Sequence, residues 1–344
     1  MPPLNPFHLT FPHGLHIGRG VENLATTYAY IPSDTLFAAL LDVSRMLGID
    51  MDGLIQADGK RAPAFRITSA FPFAGGVRFY PMPVDLNAVF SPDLIKESGT
   101  GKIFTKIGYF SEKLVEQWLA GNWLDHEVER KNGEWRCKTA IQNGALWLTE
   151  AEQKGLPGTV WAIQTSPRLT VDRSTSRSFF FQSDRVVFAQ ECGLWFGAIG
   201  EVSHIRQLLS PLGEGGLGGE RSSGYGGFAY HEQVAKDFPE PTLDGRTYLL
   251  SRYHPSSSEI IALQRNESMY KLVAVGGWFK SPVGVAQMRK RIWMCCEGSL
   301  IAGKPYGNAP NVRPTQQNHD SDVPHPVFRP GFAVGLNAPH LPPR

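Results

Sequence analysis

Cysteine, long apolar runs and an excess of either charge are all scarce in this chain. Its four cysteines among 344 residues are Cys137, Cys192, Cys295 and Cys296. They give neither a disulfide framework nor the C-x-x-C pairs of a structural zinc site, and they read as small buried side chains. No uninterrupted apolar run approaches the roughly 20 residues that cross a bilayer. The opening MPPLNPFHLTFPHGLHIG has no cationic segment followed by an apolar core, so a cytoplasmic location is expected. The formal net charge of +2 excludes a wholly basic or acidic protein, though it leaves room for a basic face. What is present is ordinary for a folded chain: 42% apolar residues, and a length that implies two domains or one with large insertions.

Phe7, Leu9 and Phe11 alternate with His8 and Thr10, the period of a half-buried strand, and Pro12 to Gly14 turn the chain into LHIG. In IPSDTLFAALLDVSRMLG the spacing of Leu36, Leu40, Val43 and Leu47 predicts a helix, with Ser33 or Asp34 as cap and Gly48 as stop. FRITSAFPFAGGVRFYPMP reads as two strands joined by a tight turn at Gly75-Gly76. Strand, helix, strand, strand is the first half of a ferredoxin-like (RRM-like) unit. Residues from about 84 to 185 are more polar and read as insertions, with a helix in SEKLVEQWL and a turn at Asn132-Gly133. VVFAQECGLWFGAIG returns to strand character, SHIRQLL predicts a helix ended by Pro211, and FAYHEQV is the expected last strand.

Between that helix and that strand lies GEGGLGGERSSGYGGF, residues 213–228. A linker is not expected between two elements of one sheet, and Leu217, Tyr225 and Phe228 are out of place in a spacer, so an ordered loop is favoured. Its glycines would let backbone N–H groups face an anion, with Arg221, Ser222 and Ser223 adding donors for phosphate. The run satisfies G-x-G-x-x-G, but a dinucleotide site needs a strand before and a helix after, the reverse of the order here. A P-loop fails as well, because no Lys-Ser or Lys-Thr follows.

These motifs, LHIG, IPSDTLFAALL, SAFPF, GLGGERSSGYGGF and a later YHP, resemble the RAMP superfamily of CRISPR RNA-binding proteins, and within it subunit four of the type III-A, or Csm, effector complex. The resemblance implies a subunit that holds the 5′ handle of the guide RNA (crRNA) and serves as scaffold in antiviral defence, and the lack of partnered catalytic residues makes a non-catalytic one the expectation. It would dock on the large polymerase-like subunit and on the first backbone RAMP subunit, and meet target RNA only indirectly. The RNA-contacting set expected from the loop is Gly216, Gly218, Gly219, Arg221, Ser222, Ser223, Gly224, Tyr225 and Gly226. His16 of LHIG joins it, as do Ser33 and Thr35 at the amino-terminal end of the helix, where unpaired N–H groups suit phosphate. In SPRLTVDRSTSRSFFFQSDRV, Arg168, Arg173, Arg177 and Arg185 interleave with Phe179, Phe180 and Phe181. Arginines beside aromatics suit single-stranded RNA, while a strand pair with a buried Phe face is the alternative. The resemblance favours RNA, through a thumb-like hairpin; Arg168, Arg173 and Arg177 are placed in the contact set.

After Pro239, TYLLSRYHP, SSSEIIALQ, YKLVAVGGWF and RIWMCCEGS read as strand, short helix, strand and strand, a second and degenerate unit ending in a Pro-rich loop. The expectation is therefore α+β: a first ferredoxin-like domain over 1–238, carrying the insertion at about 84–185 and the loop 213–228, and a second over 239–344. The cluster Arg289, Lys290, Arg291 fits either RNA or a solvated strand edge. No metal or cofactor is expected. His13, His16 and His254 are the candidates for metal-independent cleavage of guide precursors, the alternative function, but none has a partner at fixed spacing. Asp34 and Asp172 are a poor metal pair, one explained by capping and the other by a neighbouring arginine.

Overall fold

A computed structural model of the chain describes residues 3–18, 26–49, 63–97, 101, 104–171, 178–279, 287–314, 323 and 325–339. Along the first part run β1 (Asn5–Thr10), α1 (Ser33–Met46), β2 (Phe65–Ile67), β3 (Phe71–Ala74), β4 (Val77–Pro81), β5 (Tyr109–Ser111) and α2 (Glu112–Leu119). Then come β6 (Val128–Lys131), β7 (Glu134–Cys137), β8 (Ala140–Ile141), β9 (Leu146–Trp147), β10 (Trp161–Val171), β11 (Ser178–Phe188), β12 (Cys192–Gly200), α3 (Val202–Gly215) and β13 (Ala229–Glu232). One sheet runs in the order β13, β1, β12, β3, β4, β5, β9, β8, with β2 also paired to β12. The fold is α+β. The hairpin β3–β4 turns at Gly75-Gly76 as expected, but β4 continues the sheet outward to β5, and β12 is the strand that lies between β1 and β3. Sequence order could not reveal this, because the strand that pairs with β1 lies beyond the insertion.

Helices α1 and α3 cover one face of this sheet. Leu36, Phe37, Leu40 and Val43 of α1, with Ile205, Leu208, Leu209 and Leu212 of α3, pack on Phe7, Leu9, Leu194 and Phe196. Two expectations are corrected on these helices. The residue before α1 is Pro32, which has no side-chain cap, and both Ser33 and Asp34 lie inside the helix. Pro211 does not end α3, which continues to Gly215. A proline there forfeits one helical hydrogen bond at a cost of about 3 kcal/mol, and burial of Leu212 in the core offsets it.

The other face of the sheet is covered too, so β1 is buried on both sides rather than half-buried. His8 stacks on Phe73 with ring centroids 4.2 Å apart. The insertion fills this side with Phe110, Trp118 and Trp147, joined by Tyr248, Leu250, Leu300 and Leu336 from the C-terminal part in one cluster. Truncating a fully buried Trp of this kind costs about 3–5 kcal/mol. A core shared by the insertion and the C-terminal part is not what a self-contained unit ending at 238 implies.

The C-terminal part contributes β14 (Arg246–Leu249), β15 (Leu272–Val275), β16 (Trp278–Phe279), β17 (Gln287–Met288), β18 (Ile292–Cys295), β19 (Leu300–Ala302), β20 (Gly307–Asn308), β21 (Gly331–Phe332) and β22 (Gly335–Ala338). The expected strands and the short helix, Ile260–Leu263, are present. They do not form a single four-stranded sheet among the described residues. Instead β14 lies between β19 and β22, while β15 pairs with β18 and β16 with β17 as one ribbon. No described helix is long and apolar enough to cross a membrane.

Candidate nucleic-acid interface

The segment that follows β1 organises the candidate site by holding a different element on each side. Leu15 exchanges both backbone hydrogen bonds with Val186 of β11, at 2.9 and 2.8 Å. Toward the glycine loop, the Gly219 N–H donates to the His16 carbonyl and the Gly226 N–H to the Gly14 carbonyl, each at 2.9 Å. LHIG is thus the seam between the hairpin β10–β11 and the loop. The hairpin pairs along its whole length, from Trp161 opposite Phe188 to Val171 opposite Ser178.

The loop is held by its three large apolar residues, since Leu217, Tyr225 and Phe228 are all buried. Its backbone takes positive φ at Gly216, Gly218, Glu220, Gly224 and Gly226. At two of these a side chain has no room. A Cβ on Gly218 would lie 2.3 Å from the His16 carbonyl oxygen, and one on Gly226 would lie 2.0 Å from that of Leu217. These glycines are required by close backbone approach. Much of the loop's hydrogen-bonding capacity is already used, contrary to a backbone that faces an anion throughout. The N–H groups of Leu217, Gly219, Ser223, Gly224, Gly226 and Phe228 donate to carbonyls of this chain. A phosphate here would therefore meet mainly the side chains of the exposed turn Arg221–Ser223.

Tyr225 joins loop to hairpin. The guanidinium carbons of Arg168 and Arg185 each lie 5.2 Å from the centre of its ring, a distance at which cation and π-face attract. Among the described residues none of Arg168, Arg185 and Arg221 makes an ion pair, and the Nε of Arg168 is buried without a hydrogen-bond partner. Two cations without an ion pair among the described residues therefore flank the loop, and a third, Arg221, lies on it. Leu169, Phe180 and Phe181 on the hairpin are exposed, at 69%, 64% and 41%, so the Phe face is not buried as the alternative reading required. Arg173, Arg177 and Asp172 lie outside the described residues.

His16 is buried, its Nδ1 lies 2.6 Å from the Asp184 carbonyl, and its ring packs against Gly219. It fastens loop to hairpin. Ser33 and Thr35 are placed elsewhere. The Ser33 N–H donates to Ser69 Oγ at 2.8 Å and its hydroxyl accepts from the Arg252 N–H at 2.9 Å, while Thr35 Oγ1 accepts from Arg329 at 2.9 Å. Between them Asp34, wholly buried, pairs with Arg252 at 3.2 Å and Arg329 at 2.5 Å. Glu297 completes the cluster, bonded to Ser69 and 3.7 Å from Arg252, with its pKa raised by burial. The start of α1 is thus tied to the C-terminal part. Nothing local in the sequence marks Arg252, Glu297 and Arg329 as partners of Asp34. Arg185 was legible as one of the interleaved arginines, but only its register opposite Gln164 places it over Tyr225.

Comparison with known proteins gives the class. Residues 244–337 match the family model described as the CRISPR Csm4 C-terminal domain. Over 292 residues the chain is 27% identical to the CRISPR system Cms protein Csm4 of Mycobacterium tuberculosis (strain CDC 1551 / Oshkosh), covering 83% of this chain and 85% of that protein. It is 24% identical over 255 residues to the protein of the same name from Thermococcus onnurineus (strain NA1), covering 70% and 72%. Among solved structures, a chain from the Csm3-Csm4 subcomplex in the type III-A CRISPR-Cas interference complex aligns with a TM-score of 0.62 at 16% identity, over 98% of this chain and 100% of that one. A chain from a Csm1-Csm4 cassette in complex with cA4 aligns with a TM-score of 0.56 at 18% identity, over 99% and 100%. The similarity is to the class of RAMP-type CRISPR proteins. Within it, the chain resembles Csm4, the fourth subunit of the type III-A effector complex.

Proposed function

We propose that this chain is a non-catalytic RNA-binding and scaffold subunit of a type III-A CRISPR effector, and that the seam of hairpin, LHIG and glycine loop holds the 5′ handle of crRNA. We read β1, α1, β2 with β3, β12, α3 and β13 as a ferredoxin-like unit, since their sheet order places the last strand beside the first and the third between first and second. The observation that carries the RNA reading is the pair Arg168 and Arg185 over Tyr225, with Arg221 on the exposed turn of the same loop and exposed aromatic residues on the hairpin. Phosphates need such cations and unstacked bases need such faces. The scaffold reading is supported by similarity to proteins solved together with Csm1 and with Csm3, counterparts of the large and backbone subunits.

In this reading His16 is structural, because its ring is packed against the loop and its Nδ1 is occupied. Filter binding of handle RNA over a range of salt tests the site. Arg221→Ala is expected to weaken binding across sequences and to reduce the salt slope by about 0.7, the share of one phosphate contact on a single strand. An unchanged slope would turn Arg221 toward solvent or a protein. Incubation with repeat RNA in chelator should leave the RNA intact, and cleavage abolished by His16→Ala would establish an endoribonuclease instead.

A further inference from the structure

The ribbon built from β15 to β18 leaves two indoles in the open. Trp278 and Trp293 are 54% and 58% exposed, with Leu272 at 52% and Met288 at 43% on the strands paired in the same ribbon. Trp118, Trp147 and Trp195, by contrast, are fully buried. The ribbon is well tied: Ala274 stands opposite Trp293 and Trp278 opposite Met288. The Arg289 guanidinium donates to the carbonyls of Gly276 and Gly277 at 3.2 and 3.4 Å, so the two strands stay joined where the ladder is interrupted.

The charge of this segment is one-sided. From Tyr270 to Cys296 the sequence carries Lys271, Lys280, Arg289, Lys290 and Arg291 and no carboxylate. Glu267 and Glu297 flank its base. Lys271 and Lys290 are exposed. Lysine is depleted in protein–protein interfaces, whereas cations next to flat apolar faces are what a single strand of nucleic acid recruits, through its phosphates and its bases. We infer that this ribbon is a second RNA-binding surface, separate from the glycine-loop seam, on which bases of a single strand stack on Trp278 and Trp293 while Lys271 and Lys290 meet the phosphates. An acidic protein partner would also suit the indoles, but the two exposed lysines beside them, a residue type depleted from protein interfaces, favour RNA.

Fluorescence anisotropy with the full chain and a fluorescein-labelled oligouridine of about 15 nucleotides, the upper end of single-strand site sizes, tests it. The pair Trp278→Ala and Trp293→Ala should weaken binding at least about tenfold, and the pair Trp278→Phe and Trp293→Phe should keep most of it, since stacking needs only a π-face. Lys271→Gln with Lys290→Gln should lower the salt slope by about 1.4, two contacts at about 0.7 each. The same losses should be found in an Arg168→Ala, Arg221→Ala background, where the seam is weakened. Wild-type affinity for the alanine pair in both backgrounds, at an unchanged melting temperature, would overturn the inference. So would an alanine pair that binds RNA normally but no longer co-purifies with the other effector proteins, which would make the ribbon a protein dock.

Discussion

Gly218 and Gly224 both hold positive φ, at +91° and +83°, yet their neighbourhoods differ. Gly218 is pressed on the His16 carbonyl, whereas nothing lies within 4 Å of where a Cβ on Gly224 would stand. Sequence alone groups them together, as loop glycines that let the backbone face an anion. The structure separates them. Gly224→Ala is expected to cost no more than the roughly 1–2 kcal/mol of a left-handed residue, and Gly218→Ala clearly more, as chemical denaturation would show. Equal losses would mean that the contact with His16 relaxes freely. His8 makes a second prediction at this scale. Burial, helped by the Arg78 charge, lowers its pKa from 6.5 to about 4. The unfolded chain therefore binds a proton between about pH 6.5 and 4 that the folded chain does not, so stability is complete above that window and falls as pH drops through it. His8→Phe, which keeps the stack on Phe73, should flatten the melting temperature over that range. An unchanged pH profile would show that His8 is already protonated when folded.

At the scale of elements, Glu112 is the carboxylate of α2 that gathers the most partners. Glu112 accepts from Arg78 at 2.7 Å, from the Tyr80 hydroxyl at 2.8 Å and from Lys236 at 2.5 Å. Burial raises its pKa, but these bonds outweigh it and hold the value at about 2. The sign is that of a depressed acid: the stabilisation is present above about pH 4.5 and is lost as pH falls toward 2. Glu112→Gln should lower stability at neutral pH and narrow the difference from the wild type in acid, measured by urea unfolding at several pH values. The hairpin β10–β11 has its own test in Tyr225→Leu. Burial is retained and the ring beneath Arg168 and Arg185 is lost, so handle RNA should bind more weakly while hydrogen exchange at Leu15 and Val186 stays close to wild type. Faster exchange with unchanged RNA affinity would make the stacking purely structural. The helices, the Gly75-Gly76 and Asn132-Gly133 turns and the last strand were legible because each is marked within a few residues. The extension of α3 past Pro211 was not, because its compensation comes from a core that local pattern does not contain.

Across the whole molecule, the buried cluster at the start of α1 and the shared aromatic core bind the C-terminal part to the rest. Asp34→Asn would leave Arg252 and Arg329 buried with one anion fewer, a change that costs about 3–5 kcal/mol for a buried pair. A fragment ending at residue 238 would expose the side of Phe110 and Trp118 that meets Tyr248, in the core shared with the C-terminal part. It is expected to aggregate or to lack a cooperative melt, and a sharp calorimetric transition from it would restore 238 as a true domain boundary. The sequence by itself determined the α+β character, the glycine loop with its apolar anchors, the arginine and aromatic alternation of the hairpin, and through motif spacing the resemblance to type III-A subunit four. All of these are encoded by neighbours in the chain, in periodicity, turn chemistry and composition. Only the tertiary structure decided that β12 pairs with β1, that His16 is the pin between loop and hairpin, and that Arg185 joins Arg168 over Tyr225. It also placed Ser33 and Thr35 in hydrogen bonds with Arg252 and Arg329. Those outcomes depend on which distant segments share a register or exclude water together, and burial of that kind is a property of the packed chain rather than of any stretch of it.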